Sequence, residues 1–150
     1  MYDFNIRVYG LILNKNNEIL VTDEFRFGQK MTKYVGGGLI YGEGTLECLQ
    51  REILEEVNIV VEASDLVQFY TTDFFVSSSF HENVQVVGVY YYLKSEAFNA
   101  INLLEKPFDF ELVEHGQGFR WVRLSDFDLQ NELSFETDRV ATKRLFELLG

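Results

Sequence analysis

Glu52, Glu55 and Glu56 stand at intervals that a helix turns into one acidic edge, because each helical residue advances about 100° around the axis. Leu46, Leu49, Ile53 and Val57 fall on the opposite side, so the segment from about Thr45 to Val57 predicts an amphipathic helix with an apolar face for a core. Carboxylates at these spacings repel one another unless something positive sits among them. An all-oxygen set suits a hard divalent cation, Mg2+ or Mn2+, whereas zinc calls for histidine or cysteine ligands. The segment has no histidine, and Cys48 is its one sulfur. Just upstream, Gly36, Gly37 and Gly38 let the backbone turn tightly and bring a carbonyl oxygen close to an ion. Arg51 can hold a neighbouring carboxylate by charge-assisted hydrogen bonds.

Written out, the pattern is Gly37, five residues, Glu43, seven residues, Arg51-Glu52-Ile53, one residue, Glu55-Glu56, one residue, then Asn58-Ile59. This resembles the Nudix hydrolase signature, which places many residue types over one short stretch. Two positions depart from it. Asn58 stands where a glycine is usual, a mild change because asparagine tolerates a left-handed helix end. Ile40 stands where many members carry another acidic residue. The resemblance implies an α/β/α sandwich with a mixed sheet, a catalytic loop-helix and a C-terminal helix. It implies attack by metal-activated water on a diphosphate linkage in a nucleoside diphosphate derivative, with a carboxylate accepting the proton. Glu52, Glu55 and Glu56 match the family's helix ligands, the Gly37 carbonyl its backbone ligand, and Glu43 an outer or auxiliary ligand. Arg51 orients the carboxylates. Glu114 is the candidate for a further base or ligand on a late loop, with Glu82 and Glu111 as rivals. The catalytic set is therefore Glu52, Glu55, Arg51 and Glu114.

Each assignment has a plainer counterpart. Glu114 reads equally as a solvated loop carboxylate, His81 and His115 as surface residues, and Cys48 as packing. Arg26, Lys30 and Lys33 precede the glycine turn and could touch substrate phosphates. Phe74, Phe75 and Tyr90 to Tyr92 could include a stacking platform, although alternate strand residues fill a core. Two other readings of the whole chain stand beside the enzyme: a regulatory module that binds a nucleotide without turnover, and a structural domain that matches by accident.

The remaining elements must position that helix. With 150 residues and 47% hydrophobic content, the chain can bury a core as a single domain over 1–150. A net charge of -11 argues against a surface for nucleic acid polymers, which needs a basic stripe. Small phosphate substrates need local neutralisation instead. Met1 to Phe4 carry no basic, apolar leader and no apolar run is long enough to cross a bilayer, so a cytoplasmic protein without a membrane partner is expected. Arg7 to Leu13 and Glu18 to Asp23, joined by Asn14-Lys15-Asn16-Asn17, predict adjacent antiparallel strands. Further strands are expected around Lys33 to Val35, within Val60 to Val76, over Val84 to Leu93 and over Phe119 to Leu124, with a closing helix from Thr137 to Leu149. The edge of the second strand and Tyr90 to Tyr92 offer a surface for a homodimer. The group beyond the diphosphate is left to variable loops, Phe25 to Thr32, Ser77 to Asn83 and Ser95 to Gly118.

Overall fold

The computed structural model describes residues 1–126 and 129–150. Seven strands and three α-helices follow in chain order among the described residues. They are β1 (Asp3–Leu13), β2 (Glu18–Arg26), β3 (Gln29–Lys33), β4 (Val35–Gly38), α1 (Thr45–Val57), β5 (Val67–Thr71), β6 (Val84–Lys94), β7 (Gly116–Arg123), α2 (Leu129–Glu132) and α3 (Glu136–Leu149). The strands form one mixed seven-stranded sheet.

β1 is the spine. It runs parallel to β6 from Asp3↔Val84 to Leu13↔Lys94 and antiparallel to β4 from Arg7↔Gly38 to Gly10↔Val35. Successive side chains of a strand point to opposite faces, so Val8 and Ile12 enter the core beneath α1 while Tyr9, Leu11 and Leu13 enter the core beneath α3. A strand covered on both faces reads as an unbroken apolar run, which is how Val8 to Leu13 reads. The layering is α/β/α, as expected.

The expected hairpin of β1 and β2 is present but short. The two strands pair at Leu13↔Ile19 and then diverge. β2 goes on to pair with β7 from Glu18↔Arg123 to Phe25↔Gly116 and with β3 from Thr22↔Lys33 to Arg26↔Gln29. The Gln29 to Gly38 segment thus begins on β2 and ends on β1, and it carries the glycines into the gap between them. β2 has partners on both sides and offers no edge for a dimer. Tyr90 and Tyr91 are buried in β6, which lies between β1 and β5, so that stripe is core as well. Of Val60 to Val76, Val67–Thr71 is strand, with a 3-10 turn at Ala63–Asp65 before it.

α1 packs Cys48, Leu49 and Ile53 fully into the first core, with Leu46 and Val57 partly buried against it. Burying each large aliphatic side chain stabilises the fold by about 1.5–3 kcal/mol. Glu47 accepts the Gly44 N–H at the helix start, and Asn58 ends the helix in the left-handed conformation (φ 57°, ψ 39°), donating its N–H to the Leu54 carbonyl. Asparagine therefore performs the glycine's task at that position.

α3 seals the opposite face with Ala141 and Leu145 and buries Asp138 there. One Asp138 oxygen accepts a 2.6 Å hydrogen bond from the Tyr90 hydroxyl, and the other has no partner among the described residues. Burial pushes this carboxyl up to about 6, against the Tyr90 bond, which works the other way. A folded-state value above the unfolded one means that the folded chain binds the extra proton. Stability from this group is then fully present below the ordinary value and declines as the pH rises through about 6. Asp138→Asn is expected to gain on the parent as the pH rises from about 4 to 7, by about 2–3 kcal/mol at most. Paired thermal melts across that range check it; a constant offset between the two proteins contradicts it.

Candidate active site

Arg51 gathers the acidic edge of α1. Its guanidinium donates to both oxygens of Glu43 at 2.7 and 3.0 Å, to Glu52 at 3.0 Å, to Glu55 at 3.2 Å and to the Gly38 carbonyl at 3.1 Å. This fork ties the loop after β4 to the helix and supplies the positive charge that clustered carboxylates need. The Glu43 carboxylate also accepts the Ile40 N–H at 2.9 Å, closing the turn between β4 and α1. The Arg51 hydrogen bond is the main reason its carboxyl lies down at about 2. The bond to Glu43 in turn raises the Arg51 guanidinium above its usual range. In this structure Glu43 is a brace between loop and helix.

Glu52 and Glu56 face the glycines. A Cβ on Gly37 would lie 2.4 Å from a Glu52 carboxylate oxygen, and one on Gly36 would lie 2.0 Å from the Val8 carbonyl. At Gly36 the close approach is to backbone and requires glycine, whereas at Gly37 it is to the movable end of the Glu52 side chain. The Gly36 N–H donates to Glu56 at 3.3 Å, and the Gln117 side-chain amide donates to its other oxygen at 3.2 Å. Desolvation pushes the Glu56 carboxyl up to about 7, with Glu24 and Glu52 adding to the rise and Lys33 opposing it. Glu55 is the most exposed of the three helix carboxylates.

β1, β2 and β7 contribute residues that the sequence pattern did not single out, Arg7, Glu24 and Gln117. Glu24 is buried in β2, paired with Lys33 of β3 at 3.2 Å and 3.4 Å from the Gln117 amide. Burial opposes the Lys33 charge, but Tyr9 and Glu24 outweigh it and hold the ammonium above its ordinary value. Arg7, from β1, donates to the Tyr9 hydroxyl at 2.6 Å and feels Glu52 and Glu24. Period-two alternation would place Glu24 on a face, but nothing local says that its neighbours across the sheet are Lys33 and Gln117.

A cleft of about 390 Å³ opens beside this cluster. Arg7, Arg26 and Lys33 supply its cations, and Tyr9, Phe27, Phe80 and Phe135 its aromatic walls. Phe27 stacks on Phe80 with ring centroids 4.8 Å apart, and Phe135 meets Phe80 edge-on. These rings, and not Tyr90 or Tyr91, face the cleft; Phe75 is exposed elsewhere and Tyr92 packs against the core. Of the basic residues weighed from sequence, Arg26 and Lys33 line the cleft, while Lys30 lies over the Phe108 ring. His81 lines the cleft with Ser77, Ser78 and Ser79. His115 sits in the turn before β7, its N–H bonded to the Phe25 carbonyl.

Glu114 does not join the helix carboxylates by any hydrogen bond or ion pair among the described residues. Its carboxylate accepts the Phe27 N–H at 2.7 and 3.1 Å and caps the tip of the β2–β3 hairpin, where Phe27 has positive φ. In this structure Glu114 therefore serves the hairpin tip, apart from the helix carboxylates.

A profile described as the NUDIX domain matches residues 3–145. The chain belongs to the Nudix family. It is a Nudix-type pyrophosphohydrolase. Its fold is similar to MutT protein from Methanosarcina mazei Go1, at 19% identity over 97% of this chain and 95% of that one, with a TM-score of 0.65. It is likewise similar to MutT Nudix hydrolase from Burkholderia pseudomallei, at 17% identity, 95% and 98% coverage and a TM-score of 0.68. The Nudix domain of Shewanella oneidensis NrtR, complexed with ADP ribose, aligns at 15% identity over 97% of this chain and 88% of that one, with a TM-score of 0.65. No curated protein matches. At these identities the solved structures establish the shared fold.

The Nudix helix offers oxygen donors alone around Glu52 and Glu56, and Glu56 is a buried carboxyl made costly to ionise, so the donor chemistry fits a hard divalent ion. The spacing is not preset: among the described residues no three acidic, histidine or cysteine side chains are grouped closely enough to hold one. Arg51 holds Glu52 and Glu55 in its place. Cys48 Sγ lies 4.0 Å from the Gly37 carbonyl and 3.5 Å from that of Gly38, and burial pushes its thiol up to about 11, so it packs and does not react.

The two glycines separate chemistry from folding. A methyl at Gly37 displaces the flexible end of Glu52, so Gly37→Ala is expected to cost under about 1 kcal/mol of stability yet about 10–100-fold in turnover. Gly36→Ala drives its methyl into β1 backbone and is expected to cost about 3 kcal/mol or more. Urea unfolding beside activity measurements distinguishes them, and similar losses of stability in both would contradict this.

Proposed function

We propose that the protein is a divalent-metal-dependent hydrolase, using Mg2+ or Mn2+, that splits the diphosphate linkage of a nucleoside diphosphate derivative with water. The observation that carries this reading is the convergence of Glu52 on Gly37 and Glu56 on Gly36 beside a cleft that holds Arg7 and Lys33. The ADP ribose bound by the NrtR domain supports a nucleotide derivative as the substrate class.

Glu52, Glu55 and Glu56 would hold the metal with the Gly37 carbonyl. When bound, the metal supplies neutralisation of the bridging phosphates and a more acidic water. The chain's own residues do the rest. Arg51 holds Glu52 and Glu55 by one of its nitrogens and Glu43 by the other two, keeping the carboxylates apart and aimed until a stronger cation competes for them. Glu43 keeps Arg51 in place, as an auxiliary to the ligands. Lys33 and Arg7 offset phosphate charge on the cleft side, and the stacked Phe27 and Phe80 provide a flat apolar wall for a base. Glu55, the helix carboxylate most open to solvent, accepts the proton of the attacking water.

The test is release of products from a panel of diphosphate-linked nucleotides with Mg2+. Glu55→Gln and Glu56→Gln are each expected to lower kcat by about 10²–10⁴-fold. Added Mg2+ is also expected to raise the melting temperature of the parent, because an ion that binds the folded chain alone stabilises it. Turnover that persists in a chelator, or in both variants, would overturn the reading.

A further inference from the structure

The sheet has an uncovered stretch on the face that α1 occupies. Val8 of β1 and Val89 of β6 belong to the core beneath that helix. Alternation along the strands puts Phe4 and Ile6 on the same face as Val8, and Val87 on the same face as Val89. Ile6 pairs with Val87 across the two strands, so their side chains are neighbours. None of Phe4, Ile6 and Val87 packs against that core: Phe4 is 70% exposed, Ile6 is exposed and Val87 is half-buried. Asn5, Arg7, Val76 and Val86 point the other way and line the aromatic cleft. The Val76 carbonyl accepts the Val86 N–H, which lays this segment beside β6, and the alternation that turns Val76 into the cleft turns Phe75 onto the uncovered face, where it is 72% exposed. Tyr2, 84% exposed, continues the row of Phe4 and Ile6.

Area, charge and backbone together say what covers this face. Tyr2, Phe4 and Phe75, at about 150–250 Å² each when enclosed, supply roughly half or more of the about 800 Å² per partner of a stable interface. A contiguous apolar patch of that size on a folded domain marks a contact surface. Tyr2, Phe4, Ile6, Phe75 and Val87 carry no charge at neutral pH, whereas the chain as a whole carries -11. Two copies with that net charge repel, and their contact is least opposed where neither brings an acid. The backbone adds an open edge. β4 pairs with β1 from Gly10 back to Arg7, and the Leu39 N–H reaches the Ile6 carbonyl, so among the described residues Asp3 to Asn5 have a strand on the β6 side alone. An open edge beside an apolar face invites another strand. The face is flat, uncharged and self-complementary, as a two-fold contact requires of both partners.

We infer that a second copy of this chain covers the face, the start of β1, the start of β6 and Phe75 of one copy packing on the same elements of the other. The face is the reverse of the cleft lined by Asn5, Arg7 and Val86, so association leaves the cleft itself uncovered. The inference stands apart from the hydrolase reading, because it uses no group of the acidic helix edge.

Sedimentation velocity on the full chain, from about 1 to 100 μM, is expected to show a reversible monomer–dimer equilibrium. Phe4→Lys and Phe75→Glu place charges of opposite sign at exposed positions of the face, and each is expected to raise the dimer Kd by about tenfold or more with an unchanged circular dichroism spectrum. Leu148→Glu, at an exposed apolar residue of α3 on the opposite side of the sheet, is expected to leave Kd within about twofold. A parent that stays monomeric throughout, a dimer that Phe4→Lys and Phe75→Glu leave intact, or one that Leu148→Glu disrupts equally, overturns the inference. A monomeric parent that floats with phosphatidylcholine vesicles, and ceases to do so after either substitution, overturns it as well and gives the face to a membrane surface.

Discussion

The arrangement depends on one guanidinium. Arg51 touches Glu43, Glu52, Glu55 and the Gly38 carbonyl at once, and without it α1 would carry a row of mutually repelling carboxylates next to an unanchored glycine loop. A planar fork with five donors can make these contacts together, where an ammonium cannot. The same contacts explain how the acidic edge holds together within the protein itself.

The sheet supplies what the helix cannot. β1 and β2 part after a single pair, and the segment that crosses between them delivers Lys33 of β3 to Glu24 and Gly36 and Gly37 of β4 to α1. β7 adds Gln117 from the other side of β2. Three strands remote in sequence thereby surround one helical edge, and the cost of burying Glu24 and Glu56 is offset by Lys33, by Gln117 and by the Gly36 N–H. The carboxyl of Glu56 sits high because that compensation is incomplete.

Asp138 shows the same logic outside the catalytic edge. It is buried under α3, with one oxygen satisfied by Tyr90 and the other without a partner among the described residues, and burial raises its carboxyl. It also lines the aromatic cleft.

The amino-acid sequence by itself determined the parts whose geometry is local. A helix period fixes the relation of Leu49 and Ile53 to Glu52, Glu55 and Glu56, and a left-handed cap needs glycine or asparagine, so α1, its two faces and its end at Asn58 were legible without a structure. The family followed from the same stretch, and the layered α/β/α fold with it. What only the tertiary structure decided are relations between distant segments. Glu24 and Gln117 lie far apart in the chain and look like ordinary strand residues until β2 pairs with β7. Glu114 looks like an unattached loop acid until the β2–β3 tip brings the Phe27 N–H to it. Tyr90 and Tyr91 look available until the cores beneath α3 and α1 take them in, while Phe27, Phe80 and Phe135 become a wall by the meeting of three loops. Periodicity records which way a side chain points from its own element, and strand pairing across long sequence separations decides what it meets.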